Sequence, residues 1–499
     1  MLAKESIPKD AAAVILLRDD SNEVYLAQRN PQISFLGGYH AFPGGKVDAD
    51  DAEIEVRNCE AKDLAEFIVC AVRETFEEVG VLLVRGGNKI TKGQRASLRD
   101  DLISGRFSFA EILETWGLWI DAEDFQYTGF WTTPKFSPVR FKTRFFLAVC
   151  PRRQEPQTFG EFISGEFLAP NDALKLWENS QILISPPVLI TIQQLTQIEI
   201  QNLRSTAEKL LAASQIADGE IRYIKLNPFV TVFPVRTETL PPATHTNCFI
   251  VGEKEFIVID PGSPFVEEQQ ALNDYLDSLI AAGHYLREII LTHLHRDHVS
   301  GANALQKHFQ LKYDRSIPIT MHSATARSLK GQIKADKFIA DEEIITLKSS
   351  NENVFEIKAL HMPGHARGHL CFYDEKAGFL LSGDNVIGAG GVLIAPPEGN
   401  MTEYLVSLER MKNLPNLRFL CGSHGAAIFN AREKIEIYIA HRLEREAKIL
   451  GAIEDGAKTT REIVERVYSD VSPELWSLAE KSVEAHLEKI KMEKNSHVA

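Results

Sequence analysis

Thr292-His293-Leu294-His295-Arg296-Asp297-His298 is the stretch that decides how this chain is read. Four potential metal ligands, His293, His295, Asp297 and His298, fall within six consecutive residues. They follow Glu288-Ile289-Ile290-Leu291, whose apolar, β-branched character predicts a buried strand, so the ligands sit on the loop at its end. Neutral imidazole suits zinc or iron, and a carboxylate beside imidazoles suits a hard or borderline divalent ion. In a compact loop, His293 and His295 can point at one metal while Asp297 and His298 point at a neighbouring one.

Later residues extend the set. His365 stands in Met362-Pro363-Gly364-His365-Ala366, Asp384 in Leu381-Ser382-Gly383-Asp384, and His424 in Gly422-Ser423-His424-Gly425. Upstream lie Asn247-Cys248-Phe249-Ile250 and Val258-Ile259-Asp260-Pro261-Gly262. This ordered series resembles the HxHxDH signature and companion motifs of the metallo-β-lactamase fold. The resemblance implies an αββα sandwich with two zinc ions, or iron or manganese in their place. His293, His295 and His365 would hold one metal; Asp297, His298 and His424 would hold the other; Asp384 would bridge them. It further implies hydrolysis of an ester, thioester or phosphodiester, with Asp297 also catalytic. His369, four residues beyond His365, is expected to support a ligand or to meet substrate.

The chain begins differently. Ala12 to Leu17 and Val24-Tyr25-Leu26-Ala27 read as strands joined by the polar turn Asp19-Asp20-Ser21-Asn22. Leu64 to Glu78 has helical spacing, with Gly80 as a C-cap. On that helix Glu74, Glu77 and Glu78 stand at i, i+3 and i+4, so three carboxylates share one face. Like charges so placed weaken a helix unless a cation neutralises them, and hard oxygen ligands suit magnesium or manganese.

With Arg73 before them, Gly80 after them and Phe42-Pro43-Gly44-Gly45 upstream, these residues resemble the Nudix box GX5EX7REUXEEXGU. That family hydrolyses diphosphates linked to another group. Gly45 and Arg73 lie 28 residues apart, 14 more than the box has, so its first glutamate has no fixed counterpart; Asp48, Asp51 and Glu53 are nearby. The layout resembles long-insert Nudix hydrolases related to coenzyme A diphosphatases. This implies Glu77 and Glu78 as metal ligands for Mg²⁺ or Mn²⁺ and Glu74 as ligand or general base. Arg29, Gly44 and Gly45 are expected at the substrate. The upstream pattern R[SA]xxxRxxxGxxxFPGG is met at Arg29, Gly38 and Phe42 to Gly45. Asn30 and Ser34 depart from it, and a serine cannot reproduce the bidentate grip of arginine on phosphate.

At 499 residues the chain is too long for one ordinary core. We expect a multidomain α+β protein: a Nudix-like α/β/α sandwich over 1–195, a linker helix over 196–219, a metallo-β-lactamase-like αββα sandwich over 220–430, and a small helical tail over 431–499. In order and spacing the tail resembles the winged helix of the lactamase-like endoribonucleases. The net charge of −14 argues against a general polyanion-binding surface. Six cysteines without CxxC spacing predict free thiols in a reducing, cytoplasmic setting, and no run approaches the roughly 18 apolar residues of a membrane span. The expected function is a bifunctional metal-dependent hydrolase acting on small nucleotide or coenzyme A-type substrates. The alternative is a single-stranded RNA endoribonuclease carrying a nucleotide-binding, catalytically silent Nudix module.

Overall fold

A computed structural model describes residues 6–19, 21–33, 35–197, 202–216, 221–350, 353–469 and 471–496. Ser34, residues 198–201 and 217–220 of the expected linker region, and the last three residues lie outside that set. The chain divides into two units, Met1–Ile224 and Lys225–Ala499.

In the first unit, strand Lys9–Arg18 is the centre of a mixed sheet. It runs parallel to Phe141–Cys150, from the pair Lys9–Phe141 to the pair Arg18–Cys150. On its other side it runs antiparallel to Val24–Arg29 and to the short strand Gly44–Lys46. Side chains along a strand alternate between faces, and here the alternation divides two cores. Ala12, Val14 and Leu16 pack with Val69, Val72 and Phe76 of helix Ala65–Val79. Ala13, Ile15 and Leu17 pack with Trp177, Leu189 and Ile192 from helices Pro170–Glu178 and Pro186–Leu195. The result is an α/β/α sandwich. Helix Leu203–Ile216, set aside by sequence as a linker, packs on strand Gln126–Thr132 and sends Leu210 into the second of these cores. A Cβ on Gly129 would lie 2.0 Å from Ser214 Oγ, so glycine permits that approach.

The second unit holds two sheets. The first orders Ile224–Asn227, Val230–Arg236, His245–Gly252, Glu255–Ile259, Tyr285–Leu291, Ile319–Met321 and Lys337–Phe338. The second orders Ile344–Lys348, Val354–His361, Leu370–Asp374, Phe379–Gly383 and Phe419–Gly422. Ile257 to Ile259 and Ile289 to Leu291 are buried throughout, as expected for parallel strands covered on both faces. Phe229 stacks on Phe355 between the sheets, with ring centroids 4.6 Å apart. Helix Val266–Ala281 covers the first sheet. Helices Met401–Lys412 and Ala431–Glu454 bring Tyr404, Leu408 and Ile435 onto the second. This is an αββα sandwich.

The tail follows from the long helix Ala431–Glu454, with Thr460–Val467 and Trp476–Ser496 closing a small core of Ile449, Val464, Val467 and Val483. Thr459 caps its helix by accepting from the backbone N–H of Glu462 at 3.1 Å.

Candidate metal centres

In the second unit, the ligand-type residues all stand just beyond strand ends. His293, His295, Asp297 and His298 follow Tyr285–Leu291; His365 follows Val354–His361; Asp384 follows Phe379–Gly383; His424 follows Phe419–Gly422. The fold gathers them. His295 Nδ1 lies 2.9 Å from His293 Nε2 and 3.0 Å from His365 Nε2. Asp384 Oδ2 lies 3.9 Å from His293 Nε2 and 3.6 Å from His365 Nε2. Its other oxygen, Oδ1, lies 3.5 Å from both His298 Nε2 and His424 Nε2. Asp297 Oδ2 stands 3.8 Å from His298 Nε2 and 3.5 Å from His424 Nε2. His293, His295, His365 and Asp384 thus form one potential metal-holding group, and Asp297, His298 and His424 form another.

The far side of each ring fixes which nitrogen faces inward. His365 Nδ1 donates to the Leu393 carbonyl at 2.9 Å, and His424 Nδ1 donates to the His245 carbonyl at 2.9 Å. A carbonyl only accepts, so in the neutral ring Nε2 keeps its lone pair for a metal. Burial, with His295 adding, lowers the pKa of His365 to about 4, and burial likewise lowers His293 and His295. Burial opposes the charge on His298, yet Asp384, Asp297 and Asp260 outweigh it and raise its pKa. Burial also opposes the Asp384 charge, and His298 and His424 outweigh it, holding the carboxyl well below the usual range.

The donor set fits divalent cations. His298 Nε2 and Asp384 Oδ1 are buried and have no hydrogen-bond partner among the described residues. Buried polar atoms in that state are costly unless an ion satisfies them.

Two residues stand behind the ligand candidates. His369 is fully buried, and its Nε2 accepts the Asp384 backbone N–H at 3.0 Å. It lies behind the carboxylate; Gly383 admits the ring, since a Cβ there would lie 2.5 Å from His369 Nε2. Sequence alone gives Asp260 no role beyond the turn Asp260-Pro261-Gly262. Its carboxylate accepts from Thr292 N at 2.8 Å, Thr292 Oγ1 at 2.6 Å and His298 Nδ1 at 2.8 Å. The available signal was an acid at the end of an apolar strand. Asp260→Asn places an amide against His298 and disturbs its tautomer, so metal affinity is expected to fall by about 10–100-fold, as for other groups that orient a metal-bound imidazole. Titration against a competing chelator measures this, and unchanged affinity contradicts the assignment.

The first unit holds the other cluster. Glu74, Glu77 and Glu78 lie on helix Ala65–Val79, which ends at Gly80 with positive φ. Glu78 accepts the Gly44 backbone N–H at 2.7 Å, and a Cβ on Gly45 would lie 2.5 Å from the Glu74 carboxyl carbon. The glycine pair therefore lies directly against the acidic face. Arg73 organises the other side. It reaches Asp51 through Nε and Nη2, both at 2.8 Å, and Glu74 through Nη1 at 2.8 Å. Of the three nearby acids, Asp51 is the buried one that pairs with Arg73. Five residues separate Gly45 from Asp51, the box's own spacing, so the extra 14 residues fall between Asp51 and Arg73. Arg29 is ion-paired to Glu161 at 2.7 Å and contributes to the field at Glu78.

Burial, against the pull of Arg73 and with Glu77 adding, pushes Glu74 up to about 7. Burial and then Glu74 raise Glu78 as well. The unfolded chain ionises its glutamates near the ordinary value of about 4.3. Metal-free stability is therefore greatest below that value and is lost as pH rises through about 7. In chelator, the melting temperature of the first unit is expected to fall between about pH 5 and about pH 8 and to recover with Mg²⁺. Calorimetry on the full chain checks this; a flat profile contradicts it.

Known families match in the same order. The NUDIX domain family covers residues 8–97 and the NUDT19 Nudix domain family covers 55–195. The metallo-beta-lactamase superfamily covers 241–424, and the beta-lactamase associated winged helix domain covers 459–494. The chain therefore carries Nudix domains, a metallo-β-lactamase domain and a beta-lactamase associated winged helix. It is similar to the beta-lactamase-like protein 2 homolog of Caenorhabditis elegans, at 28% identity over 45% of this chain and 71% of the relative. The atrochrysone carboxyl ACP thioesterase nsrC of Aspergillus novofumigatus is 26% identical over 45% of this chain and 66% of its own length. Among solved structures, a NUDIX hydrolase from Alicyclobacillus acidocaldarius is 30% identical over 39% of this chain and 93% of that chain, with a TM-score of 0.34. A metallo-beta-lactamase family protein from Thermus thermophilus is 22% identical over 54% of this chain and 95% of that chain, with a TM-score of 0.43. The Nudix domain and the metallo-β-lactamase domain make the chain a metal-dependent hydrolase. No helix among the described residues is long and apolar enough to cross a membrane.

Proposed function

We propose that the chain is bifunctional, with a metallo-β-lactamase domain that hydrolyses an acyl thioester and a Nudix domain that hydrolyses a nucleotide-type diphosphate. The observation that carries this reading is the pair of donor sets meeting at Asp384, beside a relative named as an acyl-carrier thioesterase. Two divalent cations, zinc or iron or manganese, would supply Lewis acidity and an acidified water. The chain's own residues do the rest. Asp384, held through its backbone by His369, neutralises both cation positions at once. Asp297 accepts and orients the proton of the attacking water from the side nearer His298 and His424. In the Nudix domain Glu77 and Glu78 would hold Mg²⁺ or Mn²⁺. Glu74, whose carboxyl lies against Gly45 on the same acidic face, takes the proton of its water.

The winged-helix tail favours single-stranded RNA as the competing substrate of the metallo-β-lactamase domain. Two of its lysines are already engaged: Lys489 pairs with Glu446 at 2.6 Å and Lys481 with Glu484 at 2.9 Å. The test is hydrolysis of acyl-coenzyme A, an acyl-carrier-protein thioester and a single-stranded RNA by wild type and Asp384→Ala. Thioester cleavage lost in the variant supports the proposal. RNA cleavage lost in the variant, with thioesters untouched throughout, replaces it with the endoribonuclease reading.

A further inference from the structure

The first unit contains a cleft of about 690 Å³ that neither catalytic site uses. It is bounded by the turn Gly86-Gly87-Asn88-Lys89, the start of helix Lys92–Ile103 and the loop Pro151 to Gln154. In a chain of net charge −14, six of its lining side chains are lysine or arginine and none is acidic. Two are already paired: Arg85 with Asp121, Glu123 and Asp124, and Arg152 with Asp19. Lys89, Lys92, Arg95 and Arg153 have no carboxylate partner among the described residues.

Arg95 is the decisive member. It is 9% exposed, and burial presses its pKa below the ordinary guanidinium value. Four residues on, the equally buried Arg99 donates through Nε to the Glu77 carbonyl at 2.7 Å and through Nη1 to the Gln157 carbonyl at 3.2 Å, and its Nη2 has no partner among the described residues. Arg95 has no such partner among the described residues. A largely buried cation without one is costly, and an anion in the cleft offsets that cost. The helix adds to the argument. Its first turn carries Lys92 and no acid, although the positive end of the dipole favours negative charge there. The same N-terminus becomes favourable once an anion sits on it.

We propose that this cleft binds a phosphate-bearing small molecule, gripped by Arg95, Lys92 and Arg153 beside the Thr91-capped N-terminus of helix Lys92–Ile103. Its volume lies in the range of pockets that enclose whole small ligands. None of its lining residues belongs to either set of metal-ligand candidates, so it stands or falls independently of the proposed hydrolytic activities.

The test is titration calorimetry on the full chain in EDTA, where the Nudix carboxylates repel an anion. Inorganic pyrophosphate and ADP are the two probes. Saturable binding is expected, weakened at least tenfold in the surface variant Lys92→Gln/Arg153→Gln and lost in Arg95→Met. Arg95→Met is also expected to raise the melting temperature of the ligand-free protein, because it removes a buried unpaired charge. Tighter binding of ADP than of pyrophosphate identifies a nucleotide ligand, and equal binding identifies the phosphate chemistry itself. Absence of saturable binding to wild type, or equal affinity in wild type and the double variant, overturns the proposal.

Discussion

Asp384→Ala is expected to lower hydrolysis by the metallo-β-lactamase domain on the order of 10³-fold and to leave Nudix turnover unchanged. Asp384 is common to both donor sets: one oxygen faces His293 and His365, the other His298 and His424. Its removal takes away the anion that balances two cation positions and that raises the pKa of His298 and His424. The purified variant should therefore hold fewer metal equivalents than wild type when measured by elemental analysis. The surrounding fold is expected to persist, because the backbone at 384 is held by His369 and the strand before it is buried. Full metal content with full activity would show that the carboxylate bridges nothing.

Arg73→Met is expected to produce the largest loss of stability in the first unit. Asp51 is 1% exposed and Arg73 8%, and the two are joined by a pair of 2.8 Å hydrogen bonds. Burial opposes the arginine's charge, but Asp51 and Glu74 outweigh it and hold its pKa above the ordinary value. Removing the guanidinium leaves Asp51 as a buried, uncompensated charge, which costs about 3–5 kcal/mol. In a domain of this size that corresponds to a fall in melting temperature of roughly 10 °C. The double variant Arg73→Met/Asp51→Leu removes both charges and is expected to recover most of the stability. Nudix activity should stay low in both, because Arg73 also positions Glu74 and, at 3.4 Å, Glu77. A double variant as unstable as the single one would contradict the coupling.

What could be read in advance follows from where chemistry meets regular structure. An apolar run such as Ile289-Ile290-Leu291 declares its strand, and a ligand-type residue just past it is placed without knowledge of the tertiary fold. His365, Asp384 and His424 share that logic, each close to a glycine at a strand end. The acidic face of helix Ala65–Val79 was equally plain, because three carboxylates at helical spacing lie together whatever surrounds them.

Pairings across long stretches of chain were not visible. Arg29 meets Glu161, 132 residues away. Asp51 meets Arg73 across the 14 inserted residues, which conceal its box position. Asp260 reaches His298 only because the strands ending at Ile259 and Leu291 lie side by side and parallel. His369 points behind Asp384 because Gly383 leaves room for its ring, a packing fact that spacing cannot express. Helix Leu203–Ile216 appeared to be a linker because most of its surface is polar; a glycine in the facing strand opens the groove it fills.

The most direct test of two separate hydrolytic centres is to measure thioester and nucleotide-diphosphate hydrolysis on wild type, Glu77→Gln and Asp384→Ala in parallel. We predict a crossed pattern, with Glu77→Gln losing only diphosphate hydrolysis and Asp384→Ala losing only thioester hydrolysis. Loss of both activities in either variant, or of neither, would contradict the account.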